Sequence, residues 1–89
     1  MDSFHFWLSG EPLQSLREAM PWIRHVHVSD VQDRAAPGTT GRHDYKALFR
    51  VLKDGGYDGP ITVESSSDPR CLTDSPRILE FLKTRWKEA

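Results

Sequence analysis

Three short segments of the chain each carry a side chain of a type that binds divalent metal ions. Asp2 lies in the first segment, His27 lies in the second, and Glu64 ends the third. Two carboxylates and a neutral imidazole form a mixed oxygen and nitrogen set suited to Mn²⁺, Mg²⁺ or Co²⁺, with Zn²⁺ also possible. If the segments are parallel strands, their carboxyl ends lie on one face of the fold. The sequence therefore predicts one divalent-metal site, against the alternative of three unrelated polar residues at the mouths of loops.

The second segment, residues 22–28, alternates in a way that is typical of a strand. Ile23, His25 and His27 fall on one face, and Val26 and Val28 fall on the other. In a parallel barrel the valines would pack beneath outer helices, and the histidines would point into the barrel. The alternative is that the two histidines are polar residues of a half-exposed strand.

The third segment, residues 60–64, alternates in the same way. Ile61 and Val63 share the outer face, which leaves Thr62 and Glu64 for the interior. A carboxylate that closes an apolar, β-branched run is costly unless it is paired or coordinated. Glu64 is therefore the strongest single candidate for a functional residue.

Helix signals separate these strands. Three helices are predicted from apolar residues at helical spacing. The first carries Leu13, Leu16 and Met20 and ends before Pro21, and the second carries Tyr45, Leu48, Phe49 and Leu52 after an Asp44 N-cap. The third carries Ile78, Leu79, Leu82 and Trp86 after Ser75-Pro76. Residues 1–8 are predicted to be a strand end that runs into a loop, and residues 29–41 and 65–73 to be polar loops. The element order is βαβαβα with a truncated first strand.

Length and composition limit the fold class. A complete eight-unit parallel barrel takes about 250 residues, so the 89 residues supply about three strand–helix units. The predicted fold is α/β, the C-terminal βαβαβα part of a (β/α)8 TIM barrel. Ordinary fractions of hydrophobic (37%) and charged (28%) residues argue against disorder.

Charge and cysteine content indicate the kind of partner and compartment. A formal net charge of -1 gives no general attraction to nucleic acid or acidic membranes, so neither partner is expected. The single cysteine, Cys71, cannot form an internal disulfide, which favours a reducing compartment. Without an apolar run long enough to span a bilayer, the expected location is cytoplasmic.

Four motifs carry a resemblance to a known family. They are Asp2-Ser3-Phe4-His5, His25-Val26-His27, Arg34 with Pro37-Gly38, and the run from Gly55 to Glu64. In this order and spacing they resemble the C-terminal part of the xylose-isomerase-like TIM-barrel superfamily, closest to its sugar phosphate isomerase/epimerase and ketose 3-epimerase group. The resemblance implies that residues 1–89 are a partial domain that runs from the end of strand 6 to helix 8.

The resemblance also implies roles for matching positions. Asp2, His27 and Glu64 match three of the four ligands of the family's single divalent metal, and the fourth is a glutamate on an earlier strand that this chain lacks. His5 and Arg34 match positions that bind substrate oxygens. Arg34 matches only if the loop holds one extra residue, and its alternative is a solvated loop cation. Trp7 is a further candidate for the sugar pocket, with packing as its alternative reading.

The implied activity is isomerisation or epimerisation of a ketose or sugar phosphate by proton transfer through an enediolate. In the family, Glu64 would both bind the metal and serve as a catalytic acid/base, with the missing glutamate as the second such group. One acid/base group alone predicts weak or absent activity in this chain. Hydroxypyruvate isomerase and inosose dehydratase share the barrel and stay open as relatives.

Two readings compete with the isomerase. The first is a non-catalytic, truncated barrel that folds by forming a homo-oligomer or by association with the missing barrel portion. The second is a zinc-dependent apurinic endonuclease of the same superfamily, which shares Asp2, His5, His27 and Glu64. Gly41-Arg42-His43 places a glycine where that nuclease needs an aspartate ligand, and this departure disfavours the second reading.

Overall fold

The computed structural model describes residues 1–65 and 68–89. Its elements in chain order are α1 (Ser3–Leu8), α2 (Leu13–Ala19), a 3-10 turn (Met20–Trp22), β1 (Val26–Val28), α3 (Tyr45–Asp54), β2 (Ile61–Val63), α4 (Arg70–Thr73) and α5 (Ser75–Glu88). Within the described ranges, none of these helices has the length and apolar character needed to cross a membrane.

Three parallel segments lie side by side, with β1 in the middle. β1 pairs with β2 in parallel, so that Val26 faces Ile61 and Val28 faces Val63 across the ladder. On the other side of β1, Asp2 forms a parallel bridge with His27. Because each neighbouring pair is separated by at least one helix, the arrangement is the strand–helix–strand repeat of a parallel α/β fold.

The core lies between the outer face of β1 and the helices. Val26 and Val28 are completely buried, as the alternation of β1 predicts. They belong to one apolar cluster with the buried face of α3, in which Leu48 and Leu52 are also completely buried. Burial of a valine or leucine side chain contributes about 1.5–3 kcal/mol, so these side chains fix the position of β1 under α3.

Helix α3 begins and ends where its sequence signals place it. The Asp44 side chain accepts a hydrogen bond from the Ala47 backbone N–H at 2.9 Å, which confirms Asp44 as the N-cap. Gly55 follows the last helical residue, and Gly56 has a φ of +74°, a value that glycine adopts without strain. This helix is therefore defined at both ends by local chemistry.

The first eight residues differ from the prediction. Residues 1–2 lie alongside β1 as a strand end would, but Ser3–Leu8 form a helix and no loop. The reason is local, because Asp2 is an N-cap whose carboxylate accepts a hydrogen bond from the Phe4 N–H at 2.9 Å. The helix also buries Phe6 in the core.

Two further elements differ in extent from the prediction. The strand expected over residues 22–28 is reduced to Val26–Val28, because Pro21 lies within the 3-10 turn Met20–Trp22. Part of the polar loop expected over residues 65–73 is the short helix Arg70–Thr73. Residues 66 and 67 of that expected loop lie outside the described residues.

Candidate functional site

His27 and Glu64 lie side by side at the carboxyl ends of the two paired strands. The Nδ1 atom of His27 lies 2.9 Å from Oε2 of Glu64, within ion-pair distance. The side chains are 43% and 48% exposed, so both remain open to a ligand. The Glu64 N–H donates to the Val28 carbonyl at 2.9 Å, which extends the ladder one residue beyond β2. The shared face that the alternation of the two strands predicts is therefore present.

Asp2 is in register with His27 but has other partners. Paired residues of neighbouring strands point to the same face of a sheet, so Asp2 belongs to the same face as His27. Its Oδ1 atom accepts from the Phe4 N–H, and its Oδ2 atom accepts from Arg34 Nη1 at 2.9 Å. Both carboxylate oxygens are therefore engaged within the chain.

The donor types of Asp2, His27 and Glu64 fit a divalent cation, whereas their arrangement is not that of an assembled three-ligand site. Among residues 1–65 and 68–89, no group of three or more histidine, cysteine, aspartate or glutamate side chains is placed to hold an ion together. Nε2 of His27 and Oε1 of Glu64 lie outside the contact between the two side chains. These two residues are the pair of candidate ligands that the structure brings together.

Arg34 connects the first segment with the loop that follows β1. Its Nη1 atom donates to Asp2, and its Nη2 atom lies 3.2 Å from Nε2 of His5. The guanidinium also lies 4.5 Å from the centre of the Phe4 ring, within range of a cation–π contact. The two residues expected to bind substrate oxygens, His5 and Arg34, are therefore in contact with each other, and Arg34 also contacts Asp2, an expected metal ligand.

Trp7 packs against neighbouring rings. It stacks on His43 with ring centres 4.3 Å apart and meets the edge of Tyr45 at 4.8 Å. His43 is itself held, because its Nε2 atom accepts from the Val31 N–H at 3.1 Å. This environment is that of a packing residue at the base of the loop, and the role of Trp7 in sugar binding stays a prediction.

The loop that carries Arg34 is a tight turn in an unusual backbone conformation. Gln32, Asp33 and Arg34 have φ values of +81°, +56° and +54°. The turn is closed by hydrogen bonds from the Asp30 N–H to the Ala35 carbonyl (2.8 Å) and from the Ala35 N–H to the Gln32 carbonyl (3.2 Å). A left-handed conformation costs roughly 1–2 kcal/mol per non-glycine residue, so other contacts must stabilise the turn.

Asp30 provides such contacts, and the sequence interpretation assigned it no role. Its side chain is completely buried. The carboxylate accepts hydrogen bonds from four groups, namely the N–H of Gly38 (3.1 Å), the N–H (3.0 Å) and hydroxyl (2.6 Å) of Thr40, and the hydroxyl of Tyr45 (2.7 Å). Burial and the Asp30 carboxylate together raise the pKa of Tyr45 far above its usual value, so Tyr45 stays a hydrogen-bond donor. The available sequence signal was an acidic residue two positions after the end of a strand.

The loops after β1 and β2 are joined by two further contacts. The Ser65 hydroxyl donates to the Ala35 carbonyl at 3.1 Å, and the Ala36 N–H donates to Asp68 at 2.8 Å. Hydrogen bonds from the Arg70 side chain are the main reason that the pKa of Asp68 lies well below its usual value. Asp68 therefore remains an acceptor for the Ala36 N–H at ordinary pH. Together with the Arg34 contacts, these bonds link the ends of all three parallel segments.

Comparison with known proteins identifies similar sequences. The sequence profile of a family described as "Xylose isomerase-like TIM barrel" matches residues 1–85. A mouse (Mus musculus) protein provisionally named hydroxypyruvate isomerase is 37% identical over 97% of the chain, and a protein of Arthrobacter globiformis named ketose 3-epimerase is 28% identical over 99%. An inosose dehydratase of Klebsiella pneumoniae is 33% identical over 76% of the chain.

These matches cover only part of each relative. The chain corresponds to 30% of the mouse and Arthrobacter proteins and to 31% of the Klebsiella protein. No solved structure matches the chain.

Proposed function

Because the chain belongs to the xylose isomerase-like TIM-barrel family, we propose that it forms part of a divalent-metal-dependent sugar isomerase or epimerase. The proposed substrate is a ketose or sugar phosphate, and the proposed reaction is proton transfer through an enediolate. The relatives are named as an isomerase, an epimerase and a dehydratase of small polyhydroxylated or keto compounds, which supports this class of substrate.

The observation that carries the proposal is the His27–Glu64 pair. A catalytic carboxylate must be accessible and held in position, and Glu64 is half exposed with its Oε2 atom 2.9 Å from His27 Nδ1. We assign Glu64 the role of the base that takes the proton from the carbon next to the substrate carbonyl. His27 orients this carboxylate and keeps Nε2 available as a ligand atom.

The proposed metal ligands are Asp2, His27 and Glu64. When bound, a divalent ion would polarise the substrate carbonyl and so acidify the neighbouring C–H bond. Mn²⁺, Mg²⁺ and Co²⁺ suit the mixed oxygen and nitrogen donors best. Asp2 joins this set only if its Oδ2 atom exchanges Arg34 for the ion, because that oxygen now accepts from Arg34.

His5 and Arg34 are proposed to bind substrate oxygens. Arg34 reaches the site from the loop after β1, and its contact with His5 at 3.2 Å places the two side chains together beside Asp2. A guanidinium and an imidazole suit hydroxyl or phosphate oxygens, because both donate hydrogen bonds to them. The nuclease alternative gains no support at His43, which is bound to the Val31 N–H and stacked on Trp7.

A chimeric protein tests the proposal directly. In the mouse relative, which is 37% identical to the chain, the aligned segment is replaced by the present sequence. Solvent deuterium exchange into a panel of ketoses and hydroxypyruvate, with added Mn²⁺ or Co²⁺, then measures proton transfer. We expect exchange by the chimera, and little or none by the 89-residue chain alone, since proton transfer needs a second acid/base group.

The role of Glu64 is tested in the same chimera. Glu64→Gln removes the base and should abolish exchange, whereas Glu80→Gln changes an exposed glutamate of α5 and should leave exchange unchanged. Undiminished exchange by a folded Glu64→Gln chimera would refute the assignment of the base. Robust exchange by the isolated chain would show that the site needs no further residues.

A further inference from the structure

We propose that Asp30 is a positioning residue that fixes Arg34 against Asp2 and His5. The proposal deepens the proposed function, because it rests on Arg34 as a substrate-binding residue. Asp30 itself is completely buried and cannot reach a substrate. It acts through the backbone of the turn that carries Arg34.

Asp30 holds the loop after β1 at two places, one through its backbone and one through its carboxylate. In the first half of the loop, the Asp30 backbone N–H closes the turn by donating to the Ala35 carbonyl. In the second half of the loop, the Asp30 carboxylate accepts hydrogen bonds from the N–H groups of Gly38 and Thr40. Residues 30–40 are therefore held in a closed ring by one buried residue, and Arg34 lies within that ring.

The backbone conformation of the turn explains why stabilising contacts from Asp30 are needed. Gln32, Asp33 and Arg34 are three consecutive non-glycine residues with positive φ. Such a conformation persists only where surrounding contacts over-determine it, and it is found preferentially at ligand-binding and catalytic sites. Here the result is a guanidinium that bonds to Asp2 at 2.9 Å and lies 3.2 Å from His5.

The arrangement of donors makes Asp30→Asn a sharp test. Oδ1 accepts from Gly38 N–H and Tyr45 hydroxyl, and Oδ2 accepts from the N–H and hydroxyl of Thr40. Hydroxyl groups can reverse and accept, but backbone N–H groups cannot. In either orientation of an asparagine amide, its NH₂ group therefore faces one backbone N–H and leaves it without an acceptor. The loop must therefore lose its backbone hydrogen bond to residue 30 at either Gly38 or Thr40.

The matched control is Tyr45→Phe. It removes a buried hydrogen bond of 2.7 Å to the same carboxylate but leaves both backbone contacts of the loop intact. If Asp30 only stabilises the core, both substitutions lower the melting temperature and neither affects Arg34. If Asp30 positions Arg34, only Asp30→Asn releases the guanidinium.

Side-chain NMR of the isotope-labelled chain measures the outcome without metal or sugar. A guanidinium held by two partners gives separate, slowly exchanging Nη–H signals, and its contact shifts the ring signals of His5. We expect Asp30→Asn to collapse the Arg34 Nη–H signals and to move the His5 signals to their positions in Arg34→Gln, while Tyr45→Phe retains the wild-type pattern. Unchanged Arg34 and His5 signals in a folded Asp30→Asn protein would overturn the proposal.

A second variant covers the case in which Asp30→Asn does not fold. Thr40→Val retains the Thr40 N–H but removes the hydroxyl bond at 2.6 Å, which, unlike the bond from Tyr45 in α3, connects the Asp30 carboxylate to the loop itself. It also removes the acceptor of a longer bond from the Arg42 N–H (3.4 Å). We expect it to move the same signals part of the way towards those of Arg34→Gln, and unchanged signals would again overturn the proposal.

The chimera separates this proposal from the proposed function. If the chimera is active, Asp30→Asn should raise KM about tenfold, the loss expected for a hydrogen bond to a charged group, with a smaller effect on kcat. Unchanged KM would count against positioning by Asp30. If the chimera shows no exchange, the proposed function fails, and the NMR signals of Arg34 still decide whether Asp30 positions it.

Discussion

Arg34 is one of the side chains through which the first segment contacts the loop after β1. Its position depends on a turn whose backbone is unfavourable for ordinary residues, since Gln32, Asp33 and Arg34 all have positive φ. Gln32 is exposed, so its side chain adds little that would offset its conformation. The strain at this residue can therefore be relieved without touching the site.

We predict that Gln32→Gly stabilises the protein by about 0.5–1 kcal/mol. Glycine removes the steric cost of the positive φ, and part of that gain is lost to the greater freedom of the unfolded chain. Urea denaturation measures the difference. Gln14→Gly is the matched control, because the same change at an exposed position of α2 should destabilise by about 1 kcal/mol. A lower stability for Gln32→Gly would show that the turn is not strained.

Sequence alone could predict some site residues and not others. The alternation of β1 and β2 was enough to place His27 and Glu64 on one face, because strand side chains have a fixed period of two. Asp30 was missed because its partners, Gly38, Thr40 and Tyr45, lie 8–15 positions further along and have no periodic relation to it. Loop hydrogen bonds of this kind depend on the folded path of the chain.

At the scale of elements, the helices with both a capping signal and an apolar period were predicted best. Helix α3 has Asp44 at its start and Gly55 after its end, and both residues lie at these positions in the structure. Helix α1 was predicted wrongly because six residues, most of them apolar or aromatic, contain too few turns to show a helical period. Its decisive signal is the capping bond of Asp2, a residue that the sequence interpretation assigned to metal binding.

We predict that Asp44→Ala destabilises the protein by about 1 kcal/mol, because it removes the side-chain acceptor of the Ala47 N–H. Asp74 provides the control, since it occupies the N-cap position of α5 but makes no side-chain capping bond. Asp74→Ala should change stability by less than about 0.5 kcal/mol. Thermal unfolding of the two variants measures the difference, and equal losses would mean that the Asp44 bond contributes nothing.

At the scale of the whole molecule, apolar surface lies next to β2. Within the described part of the chain, the ladder of β2 has β1 as its one partner. Beside it lies a groove lined by Val63, Cys71, Ile78 and Leu79, among other residues, and Leu79 is 52% exposed. A strand edge next to apolar side chains is a surface on which another chain can pair.

We predict that the chain self-associates at micromolar concentration and that Leu79→Glu weakens this association, because a buried carboxylate without a partner is costly. Leu8→Glu is the control, since Leu8 is 60% exposed but belongs to α1 rather than to the groove. Light scattering and sedimentation measure the mass of each variant. A folded monomer at this concentration would contradict the prediction of a homo-oligomer.

The parallel direction of the three segments also restricts the symmetry of any such assembly. Two copies related by a two-fold axis would pair their β2 edges in the antiparallel direction. That interface uses the same edge of both copies, so the assembly is complete as a dimer. A parallel contact instead joins the β2 edge of one copy to the Asp2 edge of the next, head to tail. A ring of that kind contains a multiple of three segments, and eight is not such a multiple. Copies of this chain therefore cannot reproduce an eight-stranded barrel with every segment used, so self-association and barrel completion are different, competing reactions.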